Sequence, residues 1–171
     1  MSNVLSELLE LLRLERIEQN LFRGQSQDLG WGAVFGGQVL GQSLSAAEQT
    51  VPDDRAVHSL HGYFLRSGDA TKPIVYDVDP IRDGKSFTTR RVVAIQNGRA
   101  IFNMSVSFQR REQGFDHQAS MPECEGPDDL LSERELYQKH VDRIPPKMRD
   151  QALCERPIEI RPVDPINPLK P

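Results

Sequence analysis

The apolar positions change period along this chain. Over residues 5–17, LSELLELLRLERI, Leu5, Leu8, Leu9, Leu12 and Ile17 recur at helical spacing with acidic residues between them, which predicts an amphipathic helix. Its polar face carries Glu7 and Glu10 and no basic stripe, so it is expected to dock on the domain and not on a membrane. Residues 20–27 read as a short strand, and Gly30, Trp31 and Gly32 mark a loop. Residues 34–50 return to helical spacing through Val39, Leu40, Leu44, Ala46 and Ala47. Gly36, Gly37 and Gly41 lower helix propensity there, a cost that suits a helix lying close to another backbone or a ligand. Pro52 closes the segment. The period then becomes two. Residues 57–66, 73–82, 86–96 and 100–109 read as four strands, with Asp83-Gly84 and Asn97-Gly98 as turn signals. In the last strand Ala100, Phe102, Met104, Val106 and Phe108 share one side, and Ile101, Asn103, Ser105, Ser107 and Gln109 the other. In the first, the alternation places His58 and His61 on opposite faces.

Successive strands with short turns make an antiparallel sheet, and the long helix before them has to bury its apolar surface on it. The expectation is an α+β chain with the hot-dog fold, a long central helix wrapped by an antiparallel sheet. Composition then divides the chain. Residues 1–110 hold ten of the twelve glycines, nine of the eleven aromatics and three of the twelve prolines; residues 111–171 hold the other nine prolines. A segment so poor in large apolar side chains cannot offset its own ordering entropy, so it reads as an extension of the first domain. The net charge of −4 argues against a nucleic-acid partner. No apolar run reaches the length of a membrane span, and MSNVLSELLELL has neither the basic start nor the cleavage pattern of a signal peptide. Cys124 and Cys154 fit no metal or disulfide framework, which points to a reducing compartment, taken as the cytoplasm.

Several stretches then point to a family. VFGGQVLGQ (34–42) followed by HSLHGYFLRSGD (58–69) resembles the N-terminal half of the acyl-CoA thioesterase II (TesB-type) family. LFRGQS (21–26), KPIVYDV (72–78), IRDGKSF (81–87), RRVVAIQNG (90–98) and RPVDPINPLK (161–170) extend the likeness in the same order. The resemblance implies one repeat of a double hot dog. Residues 1–112 would form the first hot-dog domain with its leading helix, 113–156 a linker with a helix, and 157–171 the start of a truncated second repeat, with a strand around 158–165. It implies hydrolysis of fatty acyl-CoA to free fatty acid and CoA by an activated water. No cofactor is expected beyond the CoA of the substrate. The family's catalytic Asp, Thr or Ser, and Gln are expected beyond residue 171, so this half could equally serve assembly and acyl-chain binding without catalysing. A homo-oligomer is expected, because an isolated repeat leaves a sheet edge unpaired.

Thioester hydrolysis needs a polarised carbonyl and an activated water. Gly36 and Gly37, opening the 34–50 helix, suit the first task through free backbone N–H groups, and Gln38 could add an amide contact. The same glycines also fit simple close packing. His58 is the candidate catalytic base, and the alternative is a hydrogen-bonded histidine at a sheet or subunit interface. His61, Tyr63 and Arg66, in the stretch that carries the resemblance, complete the substrate-binding candidates. No metal site is expected from His-Ser-Leu-His on a strand. The row Asn103, Ser105, Ser107 and Gln109 is either a candidate surface or a solvated face. Arg90-Arg91 and Arg110-Arg111 could meet CoA phosphates or stand solvated. Asp77, Asp79 and Asp83 read as an exposed cluster. Gly-Gly-Gln at the helix start, where an enoyl-CoA hydratase would need Asp and His, ranks that third activity low.

Overall fold

The computed structural model describes residues 3–30 and 32–165. Trp31 and residues 166–171, which include the end of the RPVDPINPLK stretch, lie outside the described residues. The chain forms two compact units, one of residues 8–114 and one of residues 115–171 with residues 1–7.

In the first unit the order is α1 (Asn3–Leu12, whose first turn falls in the other unit), β1 (Glu15–Glu18), β2 (Leu21–Gly24), α2 (Gly36–Glu48), β3 (Arg55–Phe64), β4 (Ile74–Asp83), β5 (Phe87–Gln96) and β6 (Arg99–Arg110). The six strands make one sheet in the order β1-β2-β4-β5-β6-β3, and every pairing is antiparallel. Asn97 at φ 50° and Gly98 at φ 70° turn β5 into β6, the positive pair that a tight type I′ hairpin requires. The alternation in β6 holds from Phe102 on: Phe102, Met104, Val106 and Phe108 are buried with Val39, Ala46 and Ala47 of α2 and with Phe22, Tyr76, Val92 and Ala94 of the neighbouring strands, whereas Ile101, expected on the other side, is buried in the same core where the pairing with β5 shifts register. α2 therefore lies across one face of the sheet, and its small residues allow that approach.

The first helix is shorter than its spacing predicts. It ends at Leu12, and Glu15–Glu18 becomes a strand paired to β2, with Glu15 opposite Arg23 and in an ion pair with it. The cause is tertiary. The carbonyls of Leu11 and Leu12, orphaned at the helix end, accept from Gln42 Nε2 (2.6 Å) and Ser45 Oγ (3.0 Å) of α2. Both bonds stop α1 against α2 and release the next residues to extend the sheet edge.

A buried polar column ties this corner together. Tyr76 Oη donates to Gln42 Oε1 at 2.6 Å, and Gln42 Nε2 also donates to Gln25 O at 2.9 Å. Gly24 is the close neighbour that permits it: a Cβ there would stand 2.6 Å from Gln42 Oε1. Burial pushes the Tyr76 hydroxyl well above its ordinary value, so it stays a donor.

In the second unit the segment expected as a linker with one helix holds two, α3 (Glu133–Lys139) and α4 (Pro146–Leu153). α3 starts on a reciprocal capping box, in which Ser132 Oγ accepts from Glu135 N and the Glu135 carboxylate accepts from Ser132 N. Residues 158–165 form no strand; extended chain becomes a strand only beside a partner, and the single bond Glu133 N to Ile160 O does not supply a ladder. Ser132 is the one buried residue of this unit among those described, consistent with the scarcity of large apolar side chains.

Candidate functional site

α2 opens abruptly. Its N-cap, Phe35, makes no side-chain capping bond, and Gly36 and Gly37 occupy the first two helical positions. Gln38 N and Val39 N bond back to Phe35 O at 3.0 and 3.3 Å. Beside this helix end lies a cleft of about 410 Å³, walled by Val34, Gly36 and Val39 on one side and by Phe64, Leu65, Arg66, Ser67, Gly68, Ile101 and Phe102 on the other. Gly36 keeps it open, since a Cβ there would meet the Phe64 ring at 3.0 Å. Gly37 is exposed, and Phe35 covers the place where its side chain would stand.

Gln38 is buried, and its amide is committed within the fold: Nε2 donates to Gln25 O at 3.0 Å and Oε1 accepts from Gln27 N at 3.2 Å. Its contribution is to hold the segment after β2 against α2.

The far wall is the crossover after β3. Leu65 N and Arg66 N both donate to Ile101 O, and Arg66 Nη1 donates to Ala100 O at 2.7 Å. Buried Gln96 fixes the next turn, accepting from Asp69 N at 2.8 Å and donating to Asp69 O and Lys72 O at 2.9 Å each. A second cleft of about 410 Å³ adjoins the first and shares Arg66, Ser67 and Ile101 with it; Asp69, Gln96, Asn97 and Arg99 complete its lining. The Asp69 carboxyl is held below its ordinary value, chiefly by hydrogen bonds from Thr71 and then by Lys72.

His58, His61 and Tyr63 lie elsewhere. The prediction that the two imidazoles face opposite ways fails because β3 bulges: Val57 pairs with Phe108 and Ser59 with Ser107, leaving His58 as the extra residue. The bulge turns His58 onto the face away from α2, where His58 Nε2 and Ser107 Oγ lie 2.9 Å apart. His61, opposite Ser105, shares that face, with its ring edge-on to Tyr63 at 4.7 Å. The structure thus brings Gly36 and Arg66 together at the cleft and gathers the aromatic candidates on the sheet's other side. Among the described residues no group of three His, Cys, Asp or Glu side chains gathers as a metal would require.

Arg90 is buried, and Arg91 and Arg110 are bound to Asp79 and Asp54 at 2.8 and 2.9 Å. Asp83, from the acidic cluster, pairs with Arg90 at 2.7 Å. Sequence reasoning missed Phe64, Ile101, Asn97 and Arg99 as cleft residues; the Asn97-Gly98 turn was visible, but not that the crossover would fold onto it.

Residues 26–109 match the acyl-CoA thioesterase N-terminal domain family. Over 161 residues the chain is 46% identical to acyl-CoA thioesterase 2 of Haemophilus influenzae, covering 94% of this chain and 56% of that protein. It superposes on an acyl-CoA thioesterase II, TesB2, from Mycobacterium marinum with a TM-score of 0.67 and 48% identity, over 77% of this chain and 49% of that one. A protein with the hot-dog fold from Alicyclobacillus acidocaldarius aligns at a TM-score of 0.64 and 21% identity, over 74% of this chain and 48% of the other, a likeness of fold. The architecture is one hot-dog repeat. The chain spans about half the length of these relatives.

Proposed function

Taking as premise that this chain belongs to the acyl-CoA thioesterase II family through its N-terminal domain, we propose that it serves the hydrolysis of fatty acyl-CoA to free fatty acid and CoA, and that the cleft at the start of α2 holds the acyl thioester. One observation carries this reading: a cleft walled largely by apolar side chains lies beside the glycine-opened start of α2, which has no side-chain cap. Val34, Val39, Leu65, Ile101 and Phe102 suit an acyl chain, and the positive end of α2 suits the oxygen that gains charge when water adds to the thioester carbonyl.

That cleft is lined by no histidine, aspartate or glutamate. His58 is on the other face, engaged with Ser107. This observation favours the second reading within the same enzyme: this repeat binds and polarises the thioester, and the groups that activate water come from another part of the assembly. The chemistry uses water and no cofactor.

The β3 edge supports a partner. Among the described residues β3 pairs only with β6, and it leaves Leu60, Tyr63 and Phe64 exposed, a combination that suits pairing with a second hot-dog repeat, here a second copy of this chain. The free, exposed Cys124 and Cys154 suit a cytoplasmic setting. Among the described residues no helix is long and apolar enough to cross a membrane.

Replacing Gly36 by Leu tests the cleft. Binding of palmitoyl-CoA, followed by calorimetry on the full chain, is expected to weaken about tenfold or more as the side chain fills the space, with the fold retained by circular dichroism. Unchanged affinity in a folded variant refutes the assignment. Turnover by this chain that His58→Ala abolishes without unfolding it would place the chemistry on the outer face instead.

A further inference from the structure

Beside the acyl cleft lies a second one, lined mainly by residues with charged or polar groups, whose charge the thioester itself does not need. Arg66 and Arg99 both line it, together with Ser67 and Asn97. Its one carboxylate, Asp69, is already engaged by Thr71 Oγ1 at 2.7 Å and by Lys72 Nζ at 3.6 Å, and Lys72 also donates to Asn97 Oδ1 at 3.0 Å. With Lys72 counted, three cations stand against one carboxylate. Arg66 spends Nη1 on Ala100 O and keeps further guanidinium donors, while Arg99 has no side-chain partner among the described residues. The arginine pairs that stand out in the sequence are differently placed: Arg90, Arg91 and Arg110 each have an aspartate partner.

We propose that this second cleft receives the phosphate-bearing nucleotide end of acyl-CoA, with Arg99 and Arg66 binding its phosphates. The proposal rests on the acyl-binding reading of the first cleft. The shared wall of Arg66, Ser67 and Ile101 makes the two clefts neighbours, so that one extended ligand would lay its apolar end against Val39 and Phe102 and its anionic end against the arginines. Guanidinium groups suit phosphate through paired, charge-assisted hydrogen bonds. Gln96 is a positioning residue here, because its amide fixes the Asp69–Lys72 turn.

The test uses the full chain and two non-hydrolysable thioethers, hexadecyl-CoA and hexadecyl-pantetheine, which share the acyl mimic and differ in the nucleotide. Arg99→Glu is expected to weaken hexadecyl-CoA by about tenfold or more and to leave hexadecyl-pantetheine unchanged. Arg99→Lys, which keeps the charge, is expected to lie between. Wild-type affinity for hexadecyl-CoA should fall with added salt and that for hexadecyl-pantetheine should not. If Arg99→Glu binds both ligands as the wild type does, the nucleotide site is wrong and the acyl cleft stands. If the wild-type chain binds neither thioether, both fall.

Discussion

The two ends of α2 are built in opposite ways. At its end, the chain just past the helix is pinned: Thr50 Oγ1 and Thr50 O both accept from Arg90, at 2.9 Å each, and the same guanidinium reaches Arg82 O, Thr89 O and Asp83. The Arg90 side chain is only 2% exposed. At its start there is no capping side chain, two glycines and an open cleft. A buried guanidinium is tolerable only when its donors are satisfied, so the closed end is where polar contacts hold the fold. The open end lies beside a cleft that a ligand can fill. Stability and binding therefore load different ends of one helix.

The sharpest way to break this contrast is Arg90→Met. It removes the pin and strips the Thr50, Arg82 and Thr89 carbonyls of their donor, at an expected cost of about 3 kcal/mol read as a drop in the urea midpoint. A loss below about 1 kcal/mol would mean that the closed end holds little. Gln42→Leu comes next. It leaves Leu11 O and Tyr76 Oη short of a partner, and about 2 kcal/mol of stability should go while palmitoyl-CoA binding by the remaining folded chain persists. Replacement of His58 by Ala ranks third: a half-exposed hydrogen bond to Ser107 is worth about 0.5–1 kcal/mol, and acyl binding at the open end should not change. A large loss of binding would tie the outer face to the cleft.

The smallest effect lies away from α2. Hydrogen bonds from Ser132 hold the Glu135 carboxyl below its ordinary value. A carboxyl that ionises at lower pH when folded stabilises above the unfolded value and loses that contribution as pH falls through the folded one. Protection of the Ser132 amide in exchange experiments should therefore be constant near neutrality and decline only in acid. A decline as pH rises would contradict the capping box.

The alternation of β6 and the Asn97-Gly98 turn were legible in the sequence because period and turn chemistry are local. The bulge at His58 was not: it depends on the register that β6 imposes, and one extra residue reverses the face of every side chain on one side of it. Arg90 sits in a regular strand pattern that gives no sign of burial; what admits it is the set of oxygens from Thr50, Arg82 and Asp83 that only the folded chain assembles. β1 was hidden inside a helical period because Gln42 and Ser45, thirty residues downstream, end α1 early. Of the candidate site, the glycine-opened helix and Arg66 were readable. Phe64, Ile101 and Arg99 were not, since a crossover brings them together.

β3 has a consequence for how the chain is made. Its partner is β6, with Arg55 opposite Arg110 and Phe64 opposite Phe102. During synthesis, residues 55–64 leave the ribosome well before β6, the strand that receives them, has been made. At roughly 5–20 residues per second, the remaining stretch to the end of β6 takes several seconds. For that time an extended segment carrying Leu60, Tyr63 and Phe64 is a single strand in search of an edge, and neighbouring nascent chains on one message offer the same edge. The strand that finishes the sheet last is thus also the place where two growing copies are most apt to meet.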